Sequence, residues 1–189
     1  MEEIKEKILK KRTFQREISS MLLTFFGRGI QACQQLDEIV QQDLSVFPED
    51  FVFVIGLFGS RHPLILQNRA AGLRHVHEAH ELFCRRSLSL PSSFRPDLSY
   101  MLEIRFKSVE AAWRVTTGKL SFAQAYARHD LLIRGDIYRT MQFLCCVARV
   151  ENCLFPHVFP KDIRKKMRGT LPNRRKLLVR MIHIKRSEG

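Results

Sequence analysis

Residues 100–152 constrain the fold most, because each boundary between predicted elements carries its own chemical signal. Apolar and polar side chains alternate over residues 100–106, which is typical of a strand with one buried face. Ser108 is placed to cap a helix that runs through Thr117, and Gly118 can adopt the left-handed conformation that ends such a helix. The first half of this segment therefore predicts a strand followed by a helix.

The second half of the segment continues with equally clear boundaries. Ser121 and Gln124 match a capping box for a short helix. The apolar run at 131–133 predicts a strand, and the Gly-Asp pair after it breaks that strand and caps a long helix to about residue 152. Agreement among consecutive boundaries is stronger evidence than any single one.

Upstream of residue 100, the pattern predicts helices first and strands second. Residues 2–44 have helical periodicity in two pieces, with an interruption at two closely spaced glycines. Residues 51–55 predict a central strand buried on both faces, and 64–66 predict its hairpin partner. Residues 67–97 give no clear third strand. The predicted fold class is α+β, with a mixed sheet of about five strands covered on one face by helices and a helical N-terminal extension.

The segment from Phe106 to Asp136 resembles the sterol-carrier-protein family, the type-two nonspecific lipid-transfer fold. The residues that carry the resemblance are Phe106, Glu110-Ala111-Ala112, Thr117-Gly118-Lys119-Leu120, Ala123 to Tyr126, and Leu131-x-Ile133-x-Gly135-Asp136. The resemblance implies a sterol-carrier-like lipid-binding domain at 45–156, between a helical extension at 1–44 and a basic tail at 157–189. Some stand-alone members of this family resemble accessory factors of ubiquinone synthesis that hold polyprenyl intermediates.

This resemblance implies a noncatalytic domain that binds, presents or transfers a fatty acyl, sterol-like or polyprenyl chain between sheet and helices. The last helix would be the lid, and its apolar arc is wider than packing on a sheet requires. The plainer interpretation of that arc is a second cover by the N-terminal helix. The candidate lipid-binding residues are Phe106, Trp113, Leu120, Phe122, Tyr126, Ile137, Met141, Leu144, Cys145 and Ala148.

The formal charge of +13 on 189 residues is concentrated near the C-terminus. From residue 157 onward, eleven lysines and arginines accompany only Asp162 and Glu188, which gives this segment a net charge of +9. It suits an anionic membrane surface or an acidic protein, and nucleic acid less well because aromatic residues are not interleaved. The candidate contacts are Lys165, Lys166, Arg168, Arg174, Arg175 and Lys176. The alternative function is a basic adaptor that binds nucleic acid or a protein assembly through this segment, with a filled core.

Other patterns favour a cytoplasmic protein without catalytic activity or cofactor. The five cysteines are odd in number and lack framework spacing, which predicts reduced thiols. The charged N-terminus predicts no signal peptide, and no apolar run is long enough to predict a membrane span. Nucleophile elbows, phosphate-binding glycine loops and paired carboxylates in apolar settings are absent from the sequence.

A histidine-rich stretch is the one pattern typical of a metal site. His75, His77 and His80 stand close to Glu81 and Cys84, and two or three of these side chains would share one face of a strand or helix. No second group of ligands follows at a recognisable spacing. Surface histidines are the favoured interpretation, and no metal site is predicted.

Overall fold

The structure is a computed structural model, and it describes residues 2–58, 63–76, 100–168 and 170–184. These residues form seven α-helices and a five-stranded mixed sheet, which confirms the predicted α+β class. The helices are α1 (Glu2–Leu36), α2 (Glu38–Ser45), α3 (Val109–Thr116), α4 (Phe122–Ala127), α5 (Ile137–Leu154), α6 (Lys161–Arg168) and α7 (Arg174–His183). The strands are β1 (Val52–Leu57), β2 (Leu64–Arg69), β3 (Gly72–His75), β4 (Met101–Phe106) and β5 (Leu131–Arg134).

The strand order in the sheet is β3-β2-β1-β4-β5, so β1 is central as predicted. It pairs antiparallel with β2 and parallel with β4, while β3 and β5 add antiparallel edges. Gly72, with φ of +108°, supplies the left-handed residue that starts β3 after a tight turn from β2. This third strand, which the sequence left undecided, makes β1, β2 and β3 an antiparallel meander.

The main hydrophobic core lies between the helices and one face of the sheet. Phe53 of β1 stacks on Phe143 of α5, with ring centroids 4.4 Å apart. Phe122 of α4 contacts both Phe26 of α1 and Phe106 of β4, each with a centroid separation of 5.4 Å. Aromatic pairs at such distances add to the stability gained from burial alone. One aromatic-rich core therefore joins the N-terminal helix to the sheet and to the later helices.

The opposite face of the sheet is also buried, in contrast to the single buried face predicted for β4. Val54 and Ile65 lie opposite each other on this face and are almost fully buried. Glu103 and Arg105 of β4 are buried there as an ion pair, and Arg134 approaches the Glu103 carboxylate at 3.6 Å. Polar alternation in β4 thus reflects a buried charge pair, because paired charges tolerate burial better than single ones.

The predicted interruption of the N-terminal helix at its glycines is wrong. α1 runs continuously through Gly27 and Gly29. A Cβ at Gly27 would lie 2.6 Å from Leu64, and one at Gly29 would lie 3.0 Å from Val150, so the glycines let α1 approach the sheet and α5 closely. The helix ends instead at Leu36, and the carboxylate of the next residue, Asp37, caps α2.

A buried ion pair fastens this α1–α2 junction to α5. Arg149 donates hydrogen bonds to the Asp37 carboxylate at 2.7 Å, and its Nη2 also donates to the carbonyl of Thr170 at 2.7 Å. Both charged side chains are less than 10% exposed. The guanidinium therefore connects three separate parts of the chain, and losing one member of the pair would leave an uncompensated buried charge.

The helix caps predicted in the central segment are present. Ser108 Oγ accepts the Ala111 N–H at 3.0 Å at the start of α3. Ser121 and Gln124 form both bonds of the capping box of α4. Asp136 caps α5 through its side chain. These boundaries were predictable because each cap is made by residues within a few positions of one another.

The C-terminal basic segment folds into α6 and α7 and is part of the same body. Leu177 and Met181 of α7 are fully buried in the main core, and α7 packs on α1. Ile182, by contrast, is 73% exposed. No helix among the described residues is long and apolar enough to cross a bilayer.

Candidate functional site

The ten predicted lipid-binding residues do not form one site. Some of them are buried in the interior of the protein, and others are exposed on its surface. The interior group is buried in the main hydrophobic cluster and consists of Phe106, Leu120, Phe122 and Leu144. Phe106 and Phe122 contact each other there. These four side chains fill space between the sheet and the helices, where the sequence predicts a cavity. Trp113, Tyr126 and Ala148 are partly buried.

The surface group lies on the outward side of α5. Ile137 and Met141 are 61% and 40% exposed, and Cys145 is exposed as well. Tyr138, which the sequence prediction missed, is 65% exposed and belongs to the same face. We name Ile137, Tyr138, Met141 and Cys145 the α5 stripe. Spacings of three and four residues place them together on one side of the helix.

The α5 stripe ends where the C-terminal helices begin to cover α5. Asn152, further along the same outward face, is buried and donates from Nδ2 to the sulfur of Met167 in α6. The surplus apolar arc of α5 is thus partly covered, by α1 on one side and α6 at one end. The part of this arc that lies on the N-terminal half of α5, the α5 stripe, is exposed to solvent.

A second exposed apolar stripe lies on α1, which is about 50 Å long. Phe14 and Met21 are each 61% exposed, and Phe25 is 40% exposed. With the partly buried Ile18, they occupy the helix face opposite the core residues, and we name these four the α1 stripe. Exposed basic side chains lie in the same part of the helix, namely Lys10, Lys11 and Arg16. Lys10 and Lys11, four and three residues before Phe14, border the α1 stripe.

A basic cavity of about 910 Å³ lies between the end of α5, one face of α6 and the start of α7. Its cationic lining is Lys161, Arg164, Lys165 and Arg174. Two of the predicted partner-binding residues, Lys165 and Arg174, thus line the basic cavity. Their neighbours Lys166 and Arg175 are exposed and do not line it.

Arg175 and Lys176 line a separate groove of about 570 Å³ beside Leu36 and Val179. This groove lies where α7 crosses the end of α1. Arg168, the remaining predicted contact, is the last residue of α6. The six predicted basic contacts are therefore distributed over two helices and more than one surface.

A buried carboxyl group that the sequence prediction missed lies beside the predicted lining residues. Glu151 Oε1 accepts the N–H of Phe122 at 2.9 Å, while Oε2 has no hydrogen-bond partner among the described residues. Burial raises the pKa of Glu151 to about 8, and the hydrogen bond from Phe122 lowers it in part. A sequence signal existed, since Glu151 is the one acidic residue of α5.

The cysteines differ sharply in their surroundings. Burial raises the pKa of the Cys33 thiol to about 12 and that of Cys153 to about 11, and it raises the pKa of Cys146 further. Thiols held protonated in this way are poor nucleophiles. Cys145, the neighbour of Cys146, is exposed. Adjacent positions on α5 thus separate a buried thiol from an accessible one.

No group of three potential metal-binding side chains occurs within the described part of the chain. His75 lies in β3. His77, His80, Glu81 and Cys84, the rest of the histidine-rich stretch, lie outside the described residues.

The sterol-carrier resemblance rests on the chain's own residues, chiefly the segment between Phe106 and Asp136. No protein-family model, curated protein or solved structure matches this chain.

Proposed function

We propose that this protein is a noncatalytic lipid-binding protein that acts at an anionic membrane surface. The observation that carries the proposal is the exposure of large apolar side chains on the outward faces of the two longest helices, in a chain with a formal charge of +13. Exposed apolar surface bordered by basic residues is typical of proteins that bind at membrane interfaces.

The α5 stripe supplies the apolar part of the interaction. Ile137, Tyr138 and Met141 each expose at least 40% of their surface. Full burial of such a side chain contributes about 1.5–3 kcal/mol, so partial burial of three gives a few kcal/mol. Basic residues near an anionic bilayer add about 1 kcal/mol each, and salt attenuates this contribution.

The sterol-carrier resemblance supports a lipid as the ligand. The packing of the predicted lining residues moves the expected contact with lipid from the interior to the surface. Phe106 and Phe122 occupy the interior, whereas Ile137 and Met141 remain accessible. The accessible part of the predicted lining is therefore the outer side of the lid helix. A lipid chain would first meet the protein on the α5 stripe.

The second candidate function, a basic adaptor for nucleic acid or an acidic protein, is favoured by one observation. The interior members of the predicted lining, such as Phe106 and Phe122, are packed as core, as expected for a filled domain. In that case the exposed lysines and arginines of α6 and α7 would carry the activity. Vesicle binding by variants of the apolar stripes separates the two candidates, because only the lipid-binding function requires these stripes.

Vesicle flotation tests the proposal directly. We expect the triple variant Ile137→Gln, Tyr138→Gln, Met141→Gln to float with anionic vesicles at least about tenfold less than the original protein, because it loses a few kcal/mol of apolar transfer. The matched control replaces three exposed apolar residues of α6 and α7, Ile163→Gln, Val179→Gln and Ile182→Gln, and should float normally. Equal flotation of the two variants would remove the α5 stripe from the mechanism.

Analysis of bound lipid distinguishes a carrier from a protein that only docks on membranes. Organic extract of the purified protein is examined by mass spectrometry, and uptake of a fluorescent fatty acid is measured in parallel. A stoichiometric lipid supports a carrier. A clean extract without uptake, together with salt-sensitive binding of RNA and no flotation, would favour the adaptor.

A further inference from the structure

We propose that the basic cavity between α5, α6 and α7 binds a phosphate-bearing molecule. This inference goes beyond the lipid proposal and does not depend on it, because the cavity is separate from both apolar stripes. It rests on the arrangement of four cationic side chains around the cavity, on the lack of a counter-charge among the described residues, and on the position of Arg174 at the start of α7.

The cationic groups converge from two helices. Lys161, Arg164 and Lys165 lie one, three and four residues apart on a single face of α6, and all three line the cavity. Arg174 enters from the first turn of α7, and one of its guanidinium nitrogens donates to the carbonyl of Leu154 at 3.3 Å. The rest of that guanidinium fork stays available to a ligand.

The cavity holds this positive charge without a counter-charge among the described residues. Within that part of the chain, none of the four cations forms an ion pair with a carboxylate, and no carboxylate lines the cavity. Arg164 Nε is buried and has no hydrogen-bond partner among the described residues. Nε itself is shielded from solvent. An anion bound in the cavity would supply the counter-charge that the four cations lack among the described residues.

The N-terminus of α7 adds to the positive potential in the cavity. Its first residue, the cavity-lining Arg174, is basic, and its first turn contains no acidic residue. Positive charge is disfavoured at the positively polarised end of a helix. A bound anion beside Asn173 and Arg174 would offset this unfavourable arrangement.

Phosphate fits the cavity better than a carboxylate does. A phosphate group carries more negative charge and more acceptor oxygens, and arginine binds it with two parallel hydrogen bonds. The volume of about 910 Å³ is in the range of small-molecule sites and leaves room for an organic body. Leu171 and Pro172 supply apolar lining for that body.

Adjacent residues provide a closely matched test with pyrophosphate as the probe. The cavity variant is Lys165→Gln with Arg174→Gln, and the control variant is Lys166→Gln with Arg175→Gln, whose side chains lie outside the basic cavity. Each variant loses two positive charges, one from α6 and one from α7. In calorimetric titrations of the full chain, we expect the cavity variant to bind pyrophosphate at least about tenfold more weakly and the control to bind like the original protein.

Thermal unfolding of the three proteins confirms that each is folded before titration. Equal weakening of pyrophosphate binding in both variants, or no binding by any of the three folded proteins, overturns the proposal, because bulk charge rather than the cavity would then be responsible. Pyrophosphate binding that the triple α5-stripe variant retains shows that the cavity acts independently of the lipid proposal.

Two arms of the experiment identify the source of the phosphate. Vesicles of phosphatidylcholine with phosphatidic acid are tested for flotation with the same proteins, with and without pyrophosphate as a competitor. Loss of flotation in the cavity variant alone, together with competition by pyrophosphate, assigns the cavity to a lipid headgroup. Unchanged flotation with lost pyrophosphate binding assigns it to a soluble phosphate compound.

Discussion

The inward and outward faces of α5 are built from similar apolar residues, but they have different surroundings. Inward, Phe143, Val147 and Val150 are completely buried. Outward, Ile137 and Met141 are largely exposed. The difference does not come from residue type, since both faces would gain from burial. It comes from which neighbours exist. Phe53 of the sheet and the helices α1, α2 and α4 cover the inward face, whereas α6 covers the outward face only near its end.

This comparison shows how a protein of this size can bury a complete hydrophobic core and still expose apolar side chains. Single exposed apolar residues are common on protein surfaces, whereas aligned ones mark a surface for interaction. α5 combines a buried face, which contributes to stability, with an exposed apolar face on the same helix. Substitutions on the two faces should therefore change different measurements.

The largest expected effect comes from truncating the inward face. Phe143→Ala should reduce the free energy of unfolding by about 3–5 kcal/mol, because it leaves a cavity beside Phe53. Met141→Ala, two residues away on the outward face, should change it by about 0.5 kcal/mol or less. Denaturant titration of both variants measures the difference. A similar loss in both would mean that the outward face is also core.

The second expected effect depends on pH and involves Glu151, which lies beside the inward face. Its pKa is raised to about 8 from a usual value of 4.5, so between these pH values the unfolded chain has released the proton and the folded protein retains it. Stability therefore falls as pH rises through this window, by up to about 1.4 kcal/mol per pH unit. Glu151→Gln removes this dependence while preserving an acceptor for the Phe122 N–H.

Denaturant titrations of the original protein and Glu151→Gln at about pH 5 and about pH 8 measure this effect. The variant should gain stability relative to the original protein as pH increases. Glu49→Gln, at an exposed position before β1, is the matched control for removing a carboxylate from the surface. Parallel pH profiles for the original protein and Glu151→Gln would show that the carboxyl is ionised in the folded state.

The smallest expected effect concerns reactivity and involves no change in stability. Cys145 is exposed and Cys146 is fully buried, with burial raising the pKa of the Cys146 thiol. Iodoacetamide at neutral pH should label Cys145 in the folded protein and Cys146 only after unfolding. Peptide mass spectrometry locates the label, and labelling in denaturant provides the control. Equal labelling of both under native conditions would contradict the division of α5 into two faces.

The central elements could be predicted from the sequence because their boundaries depend on nearby residues. Ser108, Ser121 and Asp136 cap their helices through backbone groups three residues further along the chain. Such contacts form within one turn and need no distant partner. The strand order was harder to predict, because the pairing of β1 with β4 joins residues far apart in sequence. β3 pairs with its neighbour β2, but its four residues are too few to give a clear alternation.

The sequence by itself determined the α+β class, the central caps and the concentration of positive charge near the C-terminus. Tertiary structure alone decided that Gly27 lies inside a continuous helix, that α7 packs on α1, and which predicted lipid-contacting residues are accessible. Helical periodicity records that a residue is apolar and on which side it lies. Whether that side meets another element depends on the docking of distant segments, which no local pattern encodes.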